Sequence, residues 1–210
     1  MLRRSLSRWE GTFTRVATQP IRNVQAGRHK ITTVDAKPYN LSNLVATYML
    51  TSMPEADECT KTGGCTGSDQ QTQAACDAPV IAFVETNTSR ALPHLQEAIE
   101  SAGLTFDHVK WIIVTHIHLD HAAGAGVLLS KCKNATVVCD PRAKRHLVDP
   151  SRLIKSAKSV YGDGEVFANE CGEMIPCPED RVQVMTDNSS LQIAPGRELR
   201  FYHVEGHAKH

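Results

Sequence analysis

The 210 residues include 41% hydrophobic side chains, enough to bury the core of one domain, and 23 basic against 23 acidic residues, a formal net charge of zero. That balance offers none of the cationic excess expected of a nucleic-acid partner. No run of about 18 apolar residues is present, so no membrane span is predicted.

The first thirty residues differ from the rest. Arg3, Arg4, Arg8, Arg15, Arg22, Arg28 and Lys30 stand against a single acid, Glu10, while Leu2, Leu6, Trp9, Phe13 and Val16 recur at helical spacing. Residues 1–30 therefore read either as a mitochondrial transit peptide, which is amphipathic, Arg-rich and poor in acid, or as a basic arm whose helix Gly11 weakens. Localisation is accordingly expected to be mitochondrial or cytoplasmic.

Strands are predicted over Ile31 to Val34, Leu44 to Leu50 and Val80 to Thr86. The second and third are separated by a polar insert, residues 51–77, which lacks Val, Ile, Leu and aromatics and cannot bury itself, so it reads as a long hairpin loop. Ala91 to Ile99 carries Leu92, Leu95, Ala98 and Ile99 on one helical face and ends near Gly103; His94 reads as a surface residue. A strand over Val109 to Val114 follows, then a helix over Ala122 to Leu129, a strand over Thr136 to Cys139, and a helix over Arg152 to Tyr161. Asp149-Pro150-Ser151 signals the start of this last helix, which places Leu153, Ile154, Ala157, Val160 and Tyr161 on one face. Val182 to Met185, Leu191 to Ile193 and Leu199 to Val204 read as short strands.

Seven cysteines, an odd number without any CxxC pair, argue against a disulfide scaffold. Cys132 and Cys139 flank a strand and read as buried thiols in a reducing compartment, while Cys59, Cys65 and Cys76 in the insert match no common zinc module.

Chemistry concentrates in His116-Ile-His118-Leu-Asp120-His121, directly after the apolar Trp111 to Val114. Extended backbone sends residues i and i+2 to one side, so His116 and His118 can present two imidazoles to one cation, with Asp120 and His121 where the chain turns. Unconnected surface histidines are the plainer alternative. Four polar groups set among Ile, Val, Leu, Ala and Gly would each need hydrogen-bond partners, which a metal supplies more simply.

Thr115 to Gly124 resembles the HxHxDH signature of the metallo-β-lactamase superfamily. A second match is His203-Val204-Glu205-Gly206-His207, similar to that superfamily's Pro-Gly-His motif, with Glu205 in place of Pro. A third is Phe83-Val84-Glu85-Thr86-Asn87, where many relatives have a strand ending in Asp-Thr-Gly. Here Glu85 and Asn87 depart from the pattern, and Asn tolerates the left-handed backbone that Gly would take. Gly206 reads as a turn glycine or one that lets the backbone approach the site closely.

The resemblance spans approximately Ile31 to His210 and implies an α/β (α+β) fold, the αββα metallo-β-lactamase sandwich, incomplete at the C-terminus. Residues 31–210 would form that partial domain, interrupted by the insert. By the resemblance His116, His118 and His207 bind a first metal and Asp120 and His121 a second, Asp120 also serves catalysis, and His210 is not a ligand. The superfamily's bridging Asp and last His would fall after His210, so a complete binuclear site is not expected from this chain. The implied cofactor is Zn2+, one or two ions. The implied activity is metal-dependent hydrolysis of a small-molecule ester, thioester, lactone or amide, with glyoxalase-II-like chemistry among the options. Alternatives of the same resemblance are a mononuclear Fe2+ persulfide dioxygenase and a truncated non-catalytic homologue.

Overall fold

A computed structural model of the chain describes residues 23–26, 29–36, 46–54 and 78–208. Seven strands form one sheet in chain order: β1 (Asn23–Ala26), β2 (His29–Asp35), β3 (Ala46–Ser52), β4 (Val80–Val84), β5 (Val109–Ile113), β6 (Thr136–Cys139) and β7 (Val182–Val184). The first four pair antiparallel and the last three join in parallel. β8 (Ser189–Ala194) and β9 (Arg197–Phe201) form a separate antiparallel hairpin. The helices are α1 (Leu92–Ser101), α2 (Leu119–Ala122), α3 (Ala125–Lys131), α4 (Pro141–Val148), α5 (Ser151–Tyr161) and α6 (Glu165–Cys171).

Period-two alternation decides what each face of the sheet buries. Ile81 and Phe83 of β4, Ile112 of β5, and Val137 and Cys139 of β6 join a core with Leu95, Ile99, Leu128, Leu129 and Leu147 of the helices. The intervening Ala82, Ile113 and Val138 join a second core with Leu191 and Ile193 of the hairpin, against which Trp111, Leu199 and Phe201 pack. Because both faces of β4 to β6 are covered, their sequences read as nearly continuous apolar runs. Helix layer, sheet and hairpin thus correspond to the first layers of the expected αββα sandwich.

Several sequence expectations shift. Asn23–Ala26 and His29–Lys30, assigned above to the N-terminal segment, are strand residues; residues 1–22, where the helical pattern falls, lie outside the described residues. The insert does bridge an antiparallel hairpin, since Ser52 pairs with Val80, but Thr51 and Ser52 belong to β3 and are buried. Residues 55–77, with Cys59, Cys65 and Cys76, lie outside the described residues. The helix expected over Ala122 to Leu129 is two helices, α2 and α3, meeting at Ala123 and Gly124. Val160, placed on the apolar face of α5, is 75% exposed. Two helices went unread. Eight-residue α4 buries only Ala143 and Leu147, too little for a periodic signal, although Asp140 caps it by accepting from the Arg142 N–H and Pro141 opens it. α6 is a seven-residue helix between Gly164 and Gly172.

α1 ends as its sequence suggests. Gly103 takes φ +71°, and the Leu104 N–H donates to Ile99 O at 3.1 Å.

Candidate metal centre

The carboxyl ends of the central strands lie side by side, the place where open α/β sheets bind ligands. In the parallel register Val84 faces Ile113 and Ile113 faces Val138, so Glu85, Thr115 and Asp140 emerge from neighbouring strands. Beyond β5 the chain stays extended: Val114 N–H donates to Val138 O at 2.9 Å, Ile117 turns into the helix-side core, and His116 and His118 point the other way. His118 is the N-cap of α2, its carbonyl accepting from His121 N–H at 3.0 Å and Ala122 N–H at 2.9 Å. Asp120 and His121 therefore sit in the first turn of that helix.

His207, 89 positions after His118, returns to the same place. His116 Nε2 lies 3.1 Å from His118 Nδ1, which lies 3.0 Å from His207 Nε2. The rings stand edge to face, with His118 and His207 centroids 4.7 Å apart. His116 is buried, while His118 and His207 are exposed at the mouth. Thr115 Oγ1, 3.0 Å from His116 Nδ1, occupies that ring's other nitrogen.

His121 packs on His116 with ring centroids 4.0 Å apart. Its Nε2 is 3.4 Å from Asp120 Oδ2 and its Nδ1 is 3.3 Å from Glu85 Oε2. All five residues singled out in the sequence, His116, His118, Asp120, His121 and His207, thus come together. The remaining histidine of that reading, His210, lies outside the described residues.

Electrostatics favour a metal-ready form. Burial, reinforced by the His121, His118 and His207 rings, pushes His116 down to about 4, so it is neutral, the ligand form, throughout the physiological range. The Glu85 carboxylate beside Nδ1 raises His121 above its ordinary value, with burial acting the other way.

The donor set fits a divalent cation. His116, His118 and His207 each offer one ring nitrogen, all within 4.8 Å of one another, and Glu85, His116 and His121 form a second such group. Three imidazoles with an open side is a recognised catalytic zinc arrangement. Glu85 Oε2 and His121 Nδ1 are also buried without an aligned hydrogen-bond partner.

A cavity of about 560 Å³ opens beside these rings, lined by His116, His207, His203, Asp140, Met185 and Phe201. That size suits a small-molecule ligand. His203 is anchored there, with Nδ1 3.4 Å from Asp140 Oδ2 and its backbone N–H donating to Asp187 Oδ1 at 2.8 Å.

Sequence reasoning underestimated Glu85. It departs from the relatives' pattern, yet its side chain is 7% exposed and faces the centre. Locally it is only a lone acid closing an apolar strand; that this strand neighbours the metal-loop strand is set by the fold. Asn87 does take the left-handed backbone expected of it, φ +57°, and Glu85 takes it too, φ +70°. Gly206 has φ +144°, and nothing lies within 4 Å of where its Cβ would be, so backbone conformation rather than close approach requires glycine there.

Residues 77–210 match the family described as the metallo-beta-lactamase superfamily, and the chain belongs to it. Among solved structures it is similar to an archaeal metallo-beta-lactamase superfamily protein, ST1585 from Sulfolobus tokodaii, at 20% identity and TM-score 0.58, over 86% of this chain and 57% of that one. It is also similar to the metallo-beta-lactamase SMB-1, crystallised with mercaptoacetic acid, at 17% identity and TM-score 0.51, over 85% of this chain and 52% of that one. These likenesses are of fold, and the chain spans about half the length of the structures it matches. No curated protein sequence matches it.

Proposed function

We propose that this chain is a zinc-dependent hydrolase of a small-molecule ester, thioester, lactone or amide. The observation that carries the reading is the convergence of His116 Nε2, His118 Nδ1 and His207 Nε2 from segments far apart in sequence. These three would hold one zinc ion, and Asp120 and His121 would contribute to a second. A zinc ion so held would supply an acidified water, with a pKa of about 7, and a Lewis acid for a carbonyl oxygen.

The chain's own residues supply the rest. Burial keeps His116 unprotonated, and Thr115 holds its far nitrogen. Asp120, about half exposed at the rim, offers a carboxylate oxygen that can accept a proton at the reacting face. The cavity walls Met185 and Phe201 would pack the apolar part of a substrate while His203 and Asp140 face its polar part. No serine or cysteine nucleophile is required.

Elemental analysis of the purified chain and of two variants tests this. His118→Ala should lose most bound zinc, and His146→Ala, on α4 and outside the cluster, should keep it. Equal loss from both, or iron in place of zinc in the unaltered chain, would overturn the reading.

A further inference from the structure

We infer that Asp187 is a positioning residue of this centre: by holding the main chain at His203 it sets where His207 stands among the other imidazoles. The inference rests on the metal-centre reading above and goes beyond it, because neither Asp187 nor His203 is among the residues assigned to the metal.

The third imidazole arrives on a segment that burial does not hold. Phe201, at the end of β9, still packs on the second core, but every residue from Tyr202 to His207 is exposed. Ordering this stretch costs backbone entropy that polar contacts must offset, since apolar burial does not. Gly206, directly before His207, has φ +144° and open space where a Cβ would be, so it adds freedom rather than support.

The hairpin register decides which residue supplies the contact. Ser189 pairs with Phe201, and carrying that antiparallel ladder two residues further sets Asp187 opposite His203. Asn188 takes the left-handed φ +56° and turns the backbone aside, so the ladder ends there. The Asp187 side chain stands in for a ladder carbonyl: its Oδ1 accepts from the His203 N–H at 2.8 Å. A carboxylate acceptor makes this bond stronger than one to a neutral carbonyl.

Asp187 is itself fixed to the sheet. Met185 N–H donates to Cys139 O at 2.9 Å, at the end of β6, and Ser189 closes the turn by donating to Thr186 O from both N–H (3.2 Å) and Oγ (2.5 Å). Asp140, next after Cys139, brings Oδ2 to 3.4 Å from His203 Nδ1 while its Oδ1 caps α4. His203 is thus held at the carboxyl ends of β6 and β7, through its main chain by Asp187 and beside its ring by Asp140. From that fixed point the chain reaches His207, whose Nε2 stands 3.0 Å from His118 Nδ1.

The test is a double-mutant cycle on the whole chain. Zinc affinity is measured by competition with a chromophoric chelator for the unaltered chain, Asp187→Ala, His207→Ala and the two combined, with Asp187→Asn, which keeps an acceptor oxygen, as the conservative variant. Expected are about tenfold weaker binding in Asp187→Ala, recovery to within about twofold in Asp187→Asn, and no further loss from Asp187→Ala once His207 is removed. A merely structural residue would weaken binding equally in both backgrounds. That equal loss, or an affinity within about twofold of the unaltered chain in Asp187→Ala, overturns the inference and leaves the metal-centre reading standing. An unaltered chain that binds no zinc, or a His207→Ala variant that binds it as tightly, overturns the metal-centre reading and the inference with it. Amide hydrogen exchange in the metal-free, unaltered chain needs no variant. Corrected for intrinsic rates, the His203 N–H should exchange at least about tenfold more slowly than the Val204 N–H, and equal rates overturn the inference even where Asp187→Ala fails to fold.

Discussion

Cys132, Cys139 and Cys177 show how burial alone sets the chemistry of a side chain. All three are free and buried, and desolvation pushes the first two thiols up to about 12 and the third to about 11. In the unfolded chain they would ionise near 9. Between those values the folded state binds more protons than the unfolded one, so stability is fully present below pH 9 and falls as pH rises through 9 toward 12. Denaturant midpoints across that range should fall, and more shallowly in Cys132→Ala; an identical profile in the variant would refute the attribution. Cys132 and Cys139 were legible because they flank an apolar strand; Cys177 was not. Glu85 was not: nothing in Phe83-Val84-Glu85-Thr86-Asn87 reveals that the acid faces His121, since that proximity is made by the parallel pairing of β4 with β5.

α3 owes its position to a residue without a side chain. A Cβ on Gly126 would lie 2.0 Å from Ile175 O, so the segment after α6 runs directly across the helix. That segment is tied down elsewhere, with Glu173 N–H donating to Ser89 Oγ at 2.8 Å and the Arg90 guanidinium to Ala168 O at 2.8 Å. Gly126→Ala should therefore destabilise the chain by about 2 kcal/mol through forced backbone displacement, despite the better helix propensity of Ala. Urea unfolding measures it, and a stabilised variant would show that the contact yields freely. Helix periodicity revealed α1 and α5 because each carries an apolar stripe long enough to read. It failed at Val160, which sits at the right spacing yet is 75% exposed, and at the break between α2 and α3, where Gly124 docks on Asn87.

The molecule is held together across its layers by the two faces of one sheet. The hairpin of β8 and β9 covers the second face, and Trp111 anchors it by donating from Nε1 to Ile193 O at 3.0 Å. Trp111→Phe should keep most of the apolar burial but lose this bond and leave the carbonyl unpaired, costing about 1 kcal/mol. Hydrogen exchange should accelerate over residues 189–201 and hardly change in β4 to β6; uniform acceleration would mean the hairpin is not a separable layer. Since His207 follows β9, the same anchoring helps bring the third imidazole to the centre.

The sequence by itself determined the local part of this protein: the strands and longer helices from their periods, and the His116, His118, Asp120 and His121 cluster from the two-residue alternation of an extended chain. It also indicated His207, through resemblance to a superfamily motif. Only the tertiary structure decided that His207 meets His118 within 3.0 Å, that Glu85 faces His121, and that His116 is buried enough to remain neutral. Periodicity is a property of neighbours along the chain, whereas strand register and layer packing bring together residues 30 to 89 positions apart, and no local pattern encodes which of them will touch.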